Sequence, residues 1–196
     1  MSLSKALGAL VRSLRDLNVS FAVVGGVAAS VRGEVRFTRD IDVAVAVEDD
    51  EAAESILFAL KRFGYEIVAT VEQEATHRLA TARLRGPGGI VCDLVFATCG
   101  IENEIVADAE ALQIFPDVVV PTATAEALLA MKVLSSTSKR PNDLQDIESI
   151  LRHGPTIDLQ RVEALLEVIQ KRGYARGQDL AEKWRRLRDA RMTNDE

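Results

Sequence analysis

Two aspartates one residue apart, Asp40 and Asp42, head an apolar run that continues to Val47. Residues two apart on a β-strand face the same way, so both carboxylates project from one face. Adjacent like charges repel unless a cation or a shared proton stands between them. A hard, oxygen-seeking cation such as magnesium answers that need. Upstream, the apolar residues Phe21 to Val24 lead directly into Gly25-Gly26. Glycines let backbone N–H groups approach phosphate oxygens, and a helix N-terminus just beyond adds favourable polarity. A tight structural turn is the plainer alternative, and the G-x-G-x-x-G spacing of dinucleotide sites is absent. A further carboxylate, Asp93, sits mid-way along Ile90 to Phe96, where burial is costly unless something ligates or pairs with it. Lys132 falls on the stripe set by Ala125, Leu128 and Leu129, so it either snorkels to solvent or serves a function. Asp143 and Asp146, three apart, share one helix face.

These residues need elements to hold them. Leu3, Leu7, Leu10, Leu14 and Leu17 recur at helical spacing and predict an amphipathic first helix. A buried strand follows over 19–24, then a short helix over 27–32 ending at Gly33, then a strand over 41–47. Asp49, Asp50 and Glu51 start another helix, where their charge suits the macrodipole, and Gly64 ends it. A strand over 65–70 reads as an edge. Residues 77–85 alternate, Gly86-Pro-Gly-Gly89 turns, and 90–96 returns as a buried strand. Residues 100–120 carry no clear pattern except a short strand at 118–120. From Pro121 the composition turns helical, which places a domain boundary between 1–120 and 121–196. Thr122 or Thr124 caps a helix to about Ser136, Asn142 caps the next, and Asp158 a third; the last covers 178–191.

The chain has 196 residues, 47% of them hydrophobic, enough for a substantial core in one medium domain or two small ones. No apolar run approaches the roughly 20 residues of a membrane span, and the N-terminus lacks a secretion signal. Two cysteines make no disulfide framework, and a cytoplasmic setting is expected. The net charge of −6 does not advertise a nucleic-acid binder. Between Lys171 and Arg191, however, eight basic residues face three acidic ones. That excess is either a backbone-binding patch for RNA or a solvated helix face with i,i+4 pairs.

Gly25-Gly26-x-Ala28 together with Arg36-x-Thr38-x-Asp40-Ile41-Asp42 resembles the polymerase-β-like nucleotidyltransferases, and within them the bacterial AbiEii and MenT toxin group. Arg140-Pro-Asn-Asp143-Leu-Gln-Asp146-Ile147 is similar to that group's last motif, although Pro141-Asn142 stands where relatives carry a basic residue. The resemblance implies an α+β fold: a polymerase-β-like nucleotidyltransferase core, a mixed sheet flanked by helices, followed by a C-terminal helical bundle that completes the cleft. It implies transfer of a nucleoside monophosphate from a nucleoside triphosphate (NTP) to an acceptor hydroxyl, with release of pyrophosphate. Asp40, Asp42 and Asp93 are then the metal ligands for magnesium, or manganese in its place. Gly25 and Gly26 cradle phosphates, Lys132 neutralises them, and Arg36, Arg39 and Ser30 are further nucleotide contacts. Asp146 is favoured over Asp143 as the functional helix carboxylate, with Asp143 capping the helix or pairing with Lys132 or Arg140. Thr38, beside the carboxylates, is a candidate for inhibitory phosphorylation. The implied acceptor is RNA, foremost the 3′ end of tRNA, and the implied partner a cognate antitoxin protein. A small-molecule or protein acceptor, or a non-catalytic antitoxin-like binding role, are the alternatives.

Overall fold

The structure, a computed structural model, describes residues 2–35 and 38–192. The sequence of elements is α1 (Leu3–Asp16), β1 (Phe21–Val24), α2 (Gly25–Arg32), β2 (Ile41–Val45), α3 (Asp50–Lys61), β3 (Glu66–Glu72), β4 (Leu79–Arg85), β5 (Val91–Val95), α4 (Glu102–Ala107), β6 (Glu110–Phe115) and β7 (Val118–Thr122). Four helices complete it: α5 (Ala125–Ser135), α6 (Pro141–His153), α7 (Leu159–Lys171) and α8 (Leu180–Met192).

Among the described residues the strands form one mixed sheet in the order β3-β4-β5-β2-β1-β7-β6. Its centre, β5-β2-β1-β7, combines parallel β2/β5 and β1/β7 pairs with an antiparallel β1/β2 pair. The hairpins β3/β4 and β6/β7 finish the two sides. Central strands β1 and β2 are buried almost throughout, as their apolar content requires, with half-buried Asp42 the one break. Edge strand β3 is mostly exposed. Helix α1 seals the sheet with Leu7, Leu10 and Leu14, all fully buried. This α+β arrangement is the one implied by the sequence.

Several boundaries differ from the sequence reading. Helix α2 starts at Gly25, directly from β1, because Gly25 at φ +64° supplies a reversal that a side chain would strain. Helix α6 begins at Pro141, with Arg140 at the cap position, so Asn142 is not the cap. Proline suits a first turn because its missing N–H has no intrahelical partner there. The unpatterned stretch 100–120 holds α4 and the hairpin β6/β7. β6 gave no signal because its apolar residues are only half-buried at the sheet edge. β7 runs through Pro121 to Thr122, and Thr122 pairs with Val23. The strand therefore crosses the position where the composition changes, and the buried residues on both sides form one cluster. Thr124 and Asp158 cap α5 and α7, each accepting a backbone N–H, as the sequence suggests. No helix among the described residues is long and apolar enough to cross a membrane.

Candidate active site

The sheet places three charged side chains in one row. On parallel strands β2 and β5, Asp42 pairs with Asp93, and on the antiparallel neighbour β4, Arg83 pairs with Asp93. Partners in register point to the same face, and adjacent strands lie about 4.8 Å apart. The two carboxylates and the guanidinium thus emerge side by side. Arg83 grips Asp93 with both arms of its fork, Nε to Oδ1 at 2.9 Å and Nη2 to Oδ2 at 2.7 Å.

Gly25 is tied to this row by sterics. A Cβ on Gly25 would lie 2.0 Å from Asp42 Oδ2, so only glycine allows the β1–α2 turn to close over that carboxylate. Asp42 accepts the backbone N–H of Gly26 at the start of α2. Burial pushes Asp42 up to about 6; Asp93 and Asp40 push in the same direction, while Lys132 and the Gly26 N–H hold it down. Asp40, half-buried, precedes β2, and Thr38 Oγ1 donates to its carbonyl at 3.5 Å.

A second cluster lies on the helical side. Lys132 of α5 reaches Asp143 Oδ1 and Asp146 Oδ2 of α6, each at 2.7 Å. All three are buried: Lys132 is 9% exposed, Asp143 5% and Asp146 2%. Asp143 Oδ2 has no hydrogen-bond partner, although Arg140 Nε stands 3.3 Å away. Of the two roles left open for Asp143, pairing with Lys132 and Arg140 is the one present. Asp146 shares that lysine, so both helix carboxylates bear on the same cation.

The two clusters face one cleft of about 1100 Å³. Gly25, Gly26, Thr38, Arg39, Asp40, Asp42, Asp93, Lys132 and Asp143 line it. Ser30 is not among the lining residues; its hydroxyl donates to Gly26 O at 2.9 Å within α2. Arg36 lies outside the described residues. The cleft also exposes Arg83 and Lys139, which sequence reading missed, and Arg176, read there only as part of the basic C-terminal excess. Arg83 was within reach of the sequence. Counting outward from the turn 86–90 pairs Arg85 with Val91, Leu84 with Cys92 and Arg83 with Asp93. Arg176, at φ +55° and donating to Thr98 O, gave no local signal.

The basic C-terminal excess is largely engaged within the chain. Arg172 pairs with Glu104, Arg188 with Glu163, and Lys171 and Arg186 with glutamates one turn earlier. Lys183 donates to Ser136 O and Gln178.

Carboxylate oxygens are hard donors, and the repulsion from Asp93 and Asp40 that adds to burial in raising Asp42 is what a divalent cation relieves. Asp40 and Asp42 fit such an ion by the chemistry of their oxygens, with the Asp42 carboxylate lying where a Cβ on Gly25 would stand. Asp93 fits by position, with both oxygens held by Arg83. No group of three His, Cys, Asp or Glu side chains among the described residues is already gathered around a metal position.

Residues 8–195 match the family described as Nucleotidyl transferase AbiEii toxin, Type IV TA system. The chain belongs to that family. It is a nucleotidyltransferase with a polymerase-β-like core. No curated protein matches its sequence. Among solved structures, this nucleotidyltransferase resembles the antibiotic-resistance factor ANT(2'')-Ia in solution, at TM-score 0.54 and 16% identity over 86% of this chain and 91% of that one. A crystal structure of ANT(2'')-Ia in complex with adenylyl-2''-tobramycin gives TM-score 0.54 and 14% identity over 88% and 99%. An antigenic nucleotidyltransferase-like protein from Paracoccidioides brasiliensis gives TM-score 0.52 and 23% identity over 92% and 91%. These likenesses show the shared fold.

Proposed function

We propose that this nucleotidyltransferase moves a nucleoside monophosphate from an NTP to the 3′ hydroxyl of an RNA, foremost tRNA, as the toxin of a toxin–antitoxin pair with a cognate antitoxin protein. What supports this reading above all is the row Asp42–Asp93 closed on one side by Gly25. Nothing in the core packing asks for two carboxylates in register at the mouth of a cleft. Asp40, Asp42 and Asp93 would hold magnesium, or manganese in its place, which when bound would supply positive charge to a transferring phosphoryl group. Gly25 and Gly26 offer backbone N–H groups to the phosphates at the start of α2. Lys132, kept in place by Asp143 and Asp146, supplies positive charge on the facing wall. Arg36 and Arg39 are further phosphate contacts, and Ser30 serves by supporting the α2 turn that carries Gly26.

Asp93 receives the proton of the acceptor hydroxyl. The acceptor oxygen then bonds to the α-phosphorus, and the bond to the bridging oxygen breaks with its electrons leaving on pyrophosphate. The division at 120/121 gives a catalytic domain over residues 1–120 and a helical domain over 121–196 that completes the cleft and brings Lys132 to it. Residues 121–196 form the opposing wall. A phosphate on Thr38 sets negative charge against Asp40 and Asp42, which inhibits the enzyme.

The test incubates the protein with magnesium, each labelled NTP in turn and total RNA. A labelled tRNA-sized product is the expected result, and Asp42→Asn abolishes it while circular dichroism stays native. Label on protein or a small molecule replaces the RNA acceptor, and no label at all sinks catalysis in favour of a binding role. For Thr38, intact mass of protein co-expressed with its genomic neighbour reads the modification; suppressed activity with unmodified Thr38 refutes this mode of control.

A further inference from the structure

Arg83 occupies the carboxylate that the proposed metal site needs. It holds both oxygens of Asp93 and is 49% exposed, with its stem on the cleft wall. The guanidinium neutralises Asp93 where a divalent cation is to bind.

A guanidinium and a divalent cation on one carboxylate repel each other. Arrival of the ion therefore weakens the hold of Asp93 on Arg83. The freed side chain has water on one side and the cleft on the other. Lys132 has no such freedom, being buried between Asp143 and Asp146. A released guanidinium presents a planar fork of donors that matches phosphate oxygens two at a time.

We propose that Arg83 is a place-holder for the cation at Asp93, and that on metal binding it transfers its grip to the phosphates of the incoming triphosphate. This rests on the metal-dependent reading of the cleft given above. Metal-binding competence is thereby coupled to triphosphate capture through one residue. Without the cation, Arg83 offsets part of the charge that Asp93 sets beside Asp42. With it, the site gains a phosphate ligand on the cleft wall.

The experiment measures manganese binding without nucleotide, by the loss of the free-ion paramagnetic resonance signal, for wild type, Arg83→Ala and Arg83→Lys. Arg83→Ala is expected to bind manganese about tenfold tighter than wild type, since its competitor is gone. Its KM for the NTP at saturating metal is expected to rise about tenfold, and Arg83→Lys falls between on both measures. A merely structural role for Arg83 does not tighten one ligand while loosening the other. If Arg83→Ala fails a circular-dichroism check, Arg83→Gln takes its place in the same comparison. Wild type that binds manganese and transfers nucleotide, with variants that bind the ion no tighter, overturns this inference and leaves the metal-dependent reading standing. Tighter metal with unchanged KM overturns the transfer to phosphate. No manganese bound by any of the proteins overturns both the inference and the reading beneath it.

Discussion

Asp42 is held where its charge is unwelcome: half-buried, beside Asp93, and pressed by the Gly25 turn. Its proton affinity rises to about 6, against 3.8 for an ordinary aspartate. Between those values the folded chain binds the proton more tightly than the unfolded one, so stability falls as pH rises from about 4 to about 6. Above that window the full penalty remains, and below it none does. Asp42→Asn removes the penalty and keeps an acceptor for the Gly26 N–H. In chelating buffer at pH 7 to 8 the variant should therefore be more stable than wild type, by on the order of 2 kcal/mol. The gain should vanish toward pH 4. Denaturant titrations across pH measure it, and an Asp42→Asn protein less stable than wild type at pH 8 contradicts the electrostatic account. The candidate residues themselves were legible in the sequence because their spacing carries physical meaning. Asp40 and Asp42 stand two apart at the head of an apolar run, although only Asp42 lies within β2, and Asp93 and Lys132 are charges at otherwise apolar positions. Arg83 escaped notice although counting outward from the 86–90 turn pairs it with Asp93; what spacing cannot reveal is the parallel pairing of Asp93 with Asp42.

At the scale of elements, the contact between α5 and α6 turns on Lys132. One ammonium lies between two buried carboxylates, an arrangement that is stable only while all members are present. Lys132→Met leaves Asp143 and Asp146 facing each other with only the exposed Arg140 beside Asp143, and should cost about 3–5 kcal/mol. Adding Asp143→Asn and Asp146→Asn to that variant should recover most of the loss, since the uncompensated charge is then gone. Urea unfolding of the single and triple variants reads this directly, and an additive further loss in the triple variant argues against charge as the cause. The helices themselves were legible: Thr124 and Asp158 cap as their chemistry suggests. The start of α6 was not, because Asn142 and Pro141 both carry helix-start signals and the fit of Pro141 at the first helical position decided between them. β6 was not either. Its residues sit at a sheet edge, where weak burial imposes no alternation on the sequence.

For the whole molecule, the cleft depends on elements from both sides of residue 120. β7 crosses that position to pair with β1, and buried Arg32 of α2 donates to Ala123 O at 3.1 Å. Further along, Arg172 pairs with Glu104, and Tyr174 packs where a Cβ on Gly100 would stand. The sheet and the helical half therefore share one core. The intact chain should unfold in a single thermal transition whose calorimetric and van't Hoff enthalpies agree. Two separated transitions would show that the halves are independent. The sequence by itself determined the family, the order of most elements and the residue types of the site, because motifs and periodicity are local properties of the chain. Only the tertiary structure decided that Asp42, Asp93 and Arg83 form one row, and that Lys132 is bound to two carboxylates. It also showed the basic C-terminal helices largely paired internally. Those facts depend on strand register and on packing between distant segments, and ion pairs across such distances leave no periodic trace in the residues that make them.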